Sequence, residues 1–367
     1  MSTLPATSTA ARPVVPRAHE GDEPRPVGAR TTDDRVALWG SLAGALGLTW
    51  VGYDRLLPFS GRFGFLLCWY GTFLVLYGLV SALSHPRAEV VDRLVAAAVH
   101  GAAGVVFLAV LSTVCYTFAE GRHALAHLNF FTHDMAGVAP TAPLDQGGIA
   151  HAITGTLIEI GIAVLISLPL GVGTAVFITE VGGWFSRLVR TIVEAMTALP
   201  DILAGLFIYT TVIVRLGVQT SGFAAASALS VMMLPIIARS SEVVLRVVPG
   251  GLREASLALG ASRWRTVWKV VLPTARPGLA TALILGIARG IGETAPVLLT
   301  SGASTFFNAN PFQYPMNSLP LFIFSGFESG ETQYAARLWG AASVLLGVVL
   351  VLFITARVLA RSRTGRS

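Results

Sequence analysis

Arg289 and Glu293 are the residues of this chain whose types and setting most demand a chemical explanation. They stand four apart in ARGIGETAPVLLTSG, residues 288–302, inside a run from Pro277 to Leu299 that is otherwise nearly all apolar. Four-residue spacing on a helix puts two side chains on one face, about 6 Å apart along the axis. An ionisable group at mid-bilayer is costly and normally faces a partner or a water-filled path. Two readings are open: an ion pair within one helix that satisfies both charges, or a guanidinium turned toward a path. Glu159 lies roughly a third of the way into another apolar run. It pairs with Arg289 or Arg239, lines a cavity, or sits near the interface without a role. Asp201 follows Pro200 in ALPDILAGLF, and Arg239 lies where a long side chain reaches the interface. His123 and His127 have a spacing that could hold a metal. No cysteine accompanies them and Asp134 is the nearby acid, so a solvated loop is the favoured reading.

The elements that must position these residues are membrane helices. The chain is 53% hydrophobic and 13% charged, where a soluble domain has about 25% charged residues. Apolar runs of about 20 residues recur, each long enough to cross a bilayer as a helix. The fold class is therefore an all-α polytopic membrane protein of about eight transmembrane helices. The net charge of +6 reads as basic loops gathered on one side of the membrane, not as a nucleic-acid surface. Cys68 and Cys115 both fall in apolar runs and build no disulfide framework or zinc site. Residues 1–35 have no apolar core and read as a disordered cytoplasmic tail without a cleavable signal.

The eight spans are expected near residues 36–53, 63–83, 95–118, 149–178, 192–214, 223–237, 277–299 and 338–358. With both termini in the cytoplasm, 20 basic residues fall inside and 5 outside, as the positive-inside rule requires. Residues 36–83 form an extra hairpin, where Gly40, Gly44 and Gly47 suggest a close packing face. Pro169, Pro200 and Pro235 fall inside spans and mark hinges or simple kinks.

Ahead of the Arg289 run lies a basic amphipathic segment, Arg253 to Pro273. Leu257, Leu259, Val267, Val270 and Val271 alternate there with Arg253, Arg263, Arg265 and Lys269. The pattern predicts two short helices broken at Gly260, lying on the inner face. Such an element could pass force from a soluble partner to the membrane helices, or serve as an interfacial anchor. Periodicity alone leaves both open.

The spacing of Glu254-Ala255-Ser256, Gly260 and then Val270-Val271-Leu272-Pro273 resembles the cytoplasmic coupling loop of ABC-importer permeases, with Ser256 for the second Ala and Val270 for the usual Ile. Residues 288–302 resemble the corresponding stretch of PstA-type permeases of phosphate importers. Gly292-Glu293-Thr294 is followed by Ala295-Pro296, where the sister PstC type usually has Met-Ala-Val. GGIAHAITGTL, LPLGVGTAVFITE and Ser318-Leu319-Pro320 are similar to the same family. The resemblance covers roughly residues 94–361. It departs at Asp201, where the family's usual pattern has Ser after Pro.

The resemblance implies a six-helix type I importer permease core, preceded here by the 36–83 hairpin, with a coupling loop over 241–276. It implies a permease subunit of the bacterial plasma membrane that moves inorganic phosphate. Arg289, Glu293 and Glu159 would line the pathway, the guanidinium offering paired donors to phosphate oxygens. Glu293 would hold Arg289 and moderate its pull so that release remains possible. Glu254, Ala255, Gly260, Leu272 and Pro273 would engage an ATPase, with residues 253–273 as a handle and 277–299 as the lever it moves. Arg289 would lie about 24 Å from Pro273 along a straight helix. Implied partners are a PstC-type permease, two PstB-type ATPases, a PstS-type extracytoplasmic phosphate-binding protein and the lipid bilayer. No cofactor would be bound by this chain; ATP and magnesium would be used by the ATPases, since the sequence has no Gly-x-x-x-x-Gly-Lys-Ser/Thr loop, and Gly205 and Gly222 are isolated glycines that cradle nothing. Rival readings are a permease for another oxyanion or small solute, an ion-coupled secondary transporter using Glu159, Asp201 and Glu293, and a non-transporting sensor component.

Overall fold

The computed structural model describes residues 32–56, 61–327 and 330–360. Among these, seven helices are long and apolar enough to cross a membrane. A bent pair makes an eighth span if taken together. The chain divides into two compact units, Met1–Val110 and Leu111–Ser367.

In the first unit, α1 (Thr32–Trp50) and α2 (Arg62–Ala82) pair as a hairpin, and α3 (Arg87–Leu125) begins. The expected tail lies outside the described residues up to residue 31. Residues 32–35, expected to belong to it, are instead the first turn of α1. Asp33 and Asp34 stand there, where the partial positive charge of a helix start favours carboxylates. Arg93 ties that turn to α3 through Asp34 at 2.6 Å. Ala45, Phe73 and Tyr77 form the buried centre. Of the three glycines expected on the packing face, Gly44 faces Leu76, while Gly40 and Gly47 look onto open space.

The second unit holds the rest of α3, then α4 (Asn129–Thr132), α5 (Ala150–Val176) and α6 (Gly183–Thr197). There follow α7 (Asp201–Ile208), α8 (Gly222–Val247), α9 (Gly250–Ala258) and α10 (Arg263–Thr266). The last elements are α11 (Leu272–Gly290), α12 (Ala295–Thr300), α13 (Leu319–Phe327) and α14 (Thr332–Ala360). At its centre α5 packs on α8. Ala163, Ala225 and Ala226 are fully buried there beside Leu229, Met233 and Ile237. Small residues let two membrane helices approach closely, and packing is what holds helices together in lipid.

The expected prolines separate into two kinds. Pro169 and Pro235 lie inside continuous α5 and α8. Pro200 stands at a break where α6 and the segment Asp201–Arg215 turn by 104°. The expected fifth span, 192–214, is therefore not one straight helix. Proline lacks the donor for the ladder and restricts the residue before it, and here three residues, Ala198 to Pro200, leave helical order.

The expected seventh span differs in both directions. A single helical rod runs from Arg263 through α10, a π-helical turn over Val267–Val271 and α11 to Gly290, 28 residues in all, or about 42 Å. Handle and lever are continuous on this side, although Pro273 near the start of α11 and Pro277 inside it each lack a ladder donor. The rod then stops: Ile291–Thr294 are non-helical and α12 begins with Ala295 and Pro296. The inner loop is also shorter than 241–276, since α8 continues to Val247.

Candidate functional site

Arg289 stands on the last turn of α11, and Glu293 lies in the break beyond it. They are not on one continuous helix as their spacing suggests. The break nonetheless keeps them together: Arg289 Nη1 is 3.0 Å from Glu293 Oε1. The same guanidinium donates through Nη2 to Oδ2 of Asp201, at the start of α7. One cation thus bridges two helix interruptions, 88 residues apart in sequence. The Arg289 side chain is 46% exposed, so it also presents surface to its surroundings.

The crossing of α7 and α12 sets this geometry. A Cβ at Gly205 would come within 2.6 Å of Pro296 Cα. Only hydrogen fits between these backbones, so Gly205, read from sequence as an isolated glycine, is what lets α7 bring Asp201 to Arg289.

Glu159 pairs with neither Arg289 nor Arg239. It is 1% exposed and accepts a hydrogen bond from Ser301 Oγ at 2.9 Å; Ser301 Oγ also contacts the carbonyl of Met316. Glu159 therefore joins α5 to the segment that follows α12. This partner was invisible in the sequence because Ser301 is 142 residues away.

Arg239 does not simply reach for the interface. It binds Glu242 at 3.1 Å and Glu194 at 3.3 Å. Glu242, 1% exposed, also holds Arg190 of α6 at 2.9 Å and Arg246 at 2.6 Å. One buried carboxylate thus collects three guanidinium groups and fixes α6 to α8. Its i, i+3 and i+4 neighbours on α8 were the available sequence signal; Arg190 was not predictable from it.

The basic segment breaks at Gly260 as expected, but only α9 is a separate short helix; α10 is the first turn of the rod. Gly260 between them has φ +79°, a left-handed conformation that favours glycine. Ser256 and Thr266 hydroxyls meet at 2.8 Å and clamp α9 to α10. Glu254, Ala255 and Gly260 are exposed, and Leu272 and Pro273 are half-buried. Trp264 and Trp268 are also exposed, an apolar surface beside the basic residues. Arg253 faces inward instead. It donates to Glu180 Oε1 at 2.9 Å and to the carbonyls of Leu245 and Val248, tying α9 to the ends of α5 and α8. Near the start of α14, Arg337 is 1% exposed and donates to the carbonyls of Ala142, Pro143 and Gln146. The histidines form no loop pair: His123 is in the last turn of α3, and His127 Nδ1 lies 2.8 Å from its carbonyl oxygen.

Comparison with known proteins completes this picture. The family model of the binding-protein-dependent transport system inner membrane component matches residues 167–365. The chain is 41% identical over 249 residues to a phosphate transport system permease protein PstA 1 of Mycobacterium tuberculosis (strain CDC 1551 / Oshkosh), covering 68% of this chain and 81% of that protein. It is 41% identical over 232 residues to a phosphate transport system permease protein PstA of Mycobacterium leprae (strain TN), covering 63% and 76%. A solved structure, the inward-facing MetNI methionine ABC transporter, aligns with a TM-score of 0.46 at 25% identity over 58% of this chain and 93% of that chain.

Proposed function

Because the chain belongs to the family of binding-protein-dependent transport system inner membrane components, we propose that it is the permease subunit of an ATP-driven importer of inorganic phosphate. Relatives that it matches over most of their length, from Mycobacterium tuberculosis and Mycobacterium leprae, are phosphate permeases by name. The observation that carries the reading is the Arg289 guanidinium, set at the meeting of two helix breaks and still half-exposed. A planar guanidinium suits a tetrahedral oxyanion, and a site shared with Asp201 and Glu293 binds it weakly enough to let it go.

The permease domain is assigned to residues 94–361, with the 36–83 hairpin as an addition to it. This chain forms one half of the pathway and a PstC-type permease the other. Two PstB-type ATPases engage the coupling loops, here through the exposed face of α9 and α10, and a PstS-type binding protein delivers phosphate from outside. Both termini lie in the cytoplasm. ATP-driven movement of α9 and α10 passes directly along the rod to Gly290, one residue beyond Arg289, since no break intervenes. ATP hydrolysis belongs to the partner ATPases.

The test is Arg289→Gln in a strain lacking other phosphate importers. Radiolabelled phosphate uptake is expected to be lost while the complex still copurifies whole. Wild-type uptake by that variant would end the assignment of Arg289 to the pathway.

A further inference from the structure

Asp201 follows Pro200 at the helix break and lies on Arg289. One guanidinium facing the carboxylates of Asp201 and Glu293 leaves the cluster with an excess negative charge. An anion entering here meets repulsion unless it can also donate a hydrogen bond. Near neutral pH phosphate keeps at least one proton on its oxygens, whereas sulfate keeps none. A phosphate P–OH can point at a carboxylate oxygen while its bare oxygens take the Arg289 donors. Sulfate would set bare oxygen against carboxylate, an unpaired like-charge contact of the kind that excludes a wrong ligand.

We propose that Asp201 is a specificity-determining residue that, beside Arg289, admits oxyanions carrying a proton and rejects fully ionised ones. This rests on the reading of Arg289 as the anion contact. Asp201 is a third exposed and Glu293 less so, so Asp201 offers the more open carboxylate. Discrimination of this type comes from leaving a polar group unpaired against the wrong substrate.

The test uses the whole importer in proteoliposomes: this chain, its partner permease, the ATPases with lumenal ATP, and binding protein preloaded with labelled phosphate. Unlabelled phosphate or sulfate is placed in the lumen, where it reaches the pathway from the ATP side without touching the binding protein. Wild-type uptake is expected to slow with lumenal phosphate and not with equal sulfate. In Asp201→Asn, sulfate should become inhibitory, its potency rising on the order of tenfold or more, equivalent to about 1.4 kcal/mol. Asp201→Glu keeps the carboxylate and should stay insensitive to sulfate. Sulfate inhibition of the wild type equal to that by phosphate, or of Asp201→Glu, would overturn the proposal. So would an Asp201→Asn that imports phosphate and ignores sulfate. Should Asp201→Asn import too slowly to assay, Asp201→Ser takes its place and should likewise become sensitive to lumenal sulfate. Failure of the underlying reading has another signature: lumenal phosphate leaves wild-type uptake unchanged, and Arg289→Gln still imports.

Discussion

Two arginine–carboxylate clusters in this protein have opposite stoichiometry. At the break beyond α11, one guanidinium is shared by Asp201 and Glu293. At the junction of α6 and α8, one carboxylate, Glu242, is shared by Arg190, Arg239 and Arg246. The shared group at the first is 46% exposed and at the second 1%. Burial decides what each cluster is for. A charge sealed inside must be fully satisfied by its neighbours, so Glu242 is committed to structure. A half-exposed charge can exchange partners with a solute, so Arg289 is free to work.

The comparison predicts opposite phenotypes. The largest contrast is between Arg289→Gln, with uptake lost and assembly kept, and Glu242→Gln, with the reverse. Removing that carboxylate leaves Arg190 and Arg246 without it and Arg239 with Glu194 alone. Breaking a buried pair costs about 3–5 kcal/mol, and the partial exposure of these arginines brings the expectation to the lower end, about 3 kcal/mol. Denaturant titration of the purified subunit measures it, with uptake per assembled complex retained. A Glu242→Gln protein as stable as wild type would remove the structural reading of that cluster.

Gly205→Ala is intermediate. Its Cβ would meet the Pro296 backbone, so α7 and α12 must part and Asp201 must move relative to Arg289. A misplacement of about 1 Å at a working site costs up to about 100-fold, and a decline of about 10- to 100-fold in uptake is expected, with assembly intact. Unchanged uptake would show that the crossing does not set the site. The smallest effect belongs to Arg239→Ala. Its guanidinium is 48% exposed and Glu242 keeps two other partners, so a thermal or denaturant scan should find a loss of at most about 1 kcal/mol.

How the prolines and charges sorted shows where sequence reading reached its limit. Pro169, Pro200 and Pro235 are alike as letters in apolar runs, and only the second breaks its helix. In α5 and α8 the helix on either side of the proline is held by tight packing of small residues, so the chain stays helical around a missing hydrogen bond. At Pro200 the residues of the break, Ala198 to Pro200, are exposed, and the next helix leaves at 104°. Glu159 likewise had several possible partners by sequence, and its actual one, Ser301, was outside any local window.

The sequence by itself determined the class, most of the membrane helices and the basic element turning at Gly260, and it placed Arg289 within reach of Glu293. Each rests on local facts: apolar run length, a left-handed turn that favours glycine, and a short separation along the chain. The tertiary structure alone decided that Asp201 completes the Arg289 cluster, that Gly205 makes room for it, and that one rod leads there from α10. These depend on how distant segments cross. Helices in lipid choose their crossings by close packing over the whole bundle, and no local stretch of sequence encodes that sum.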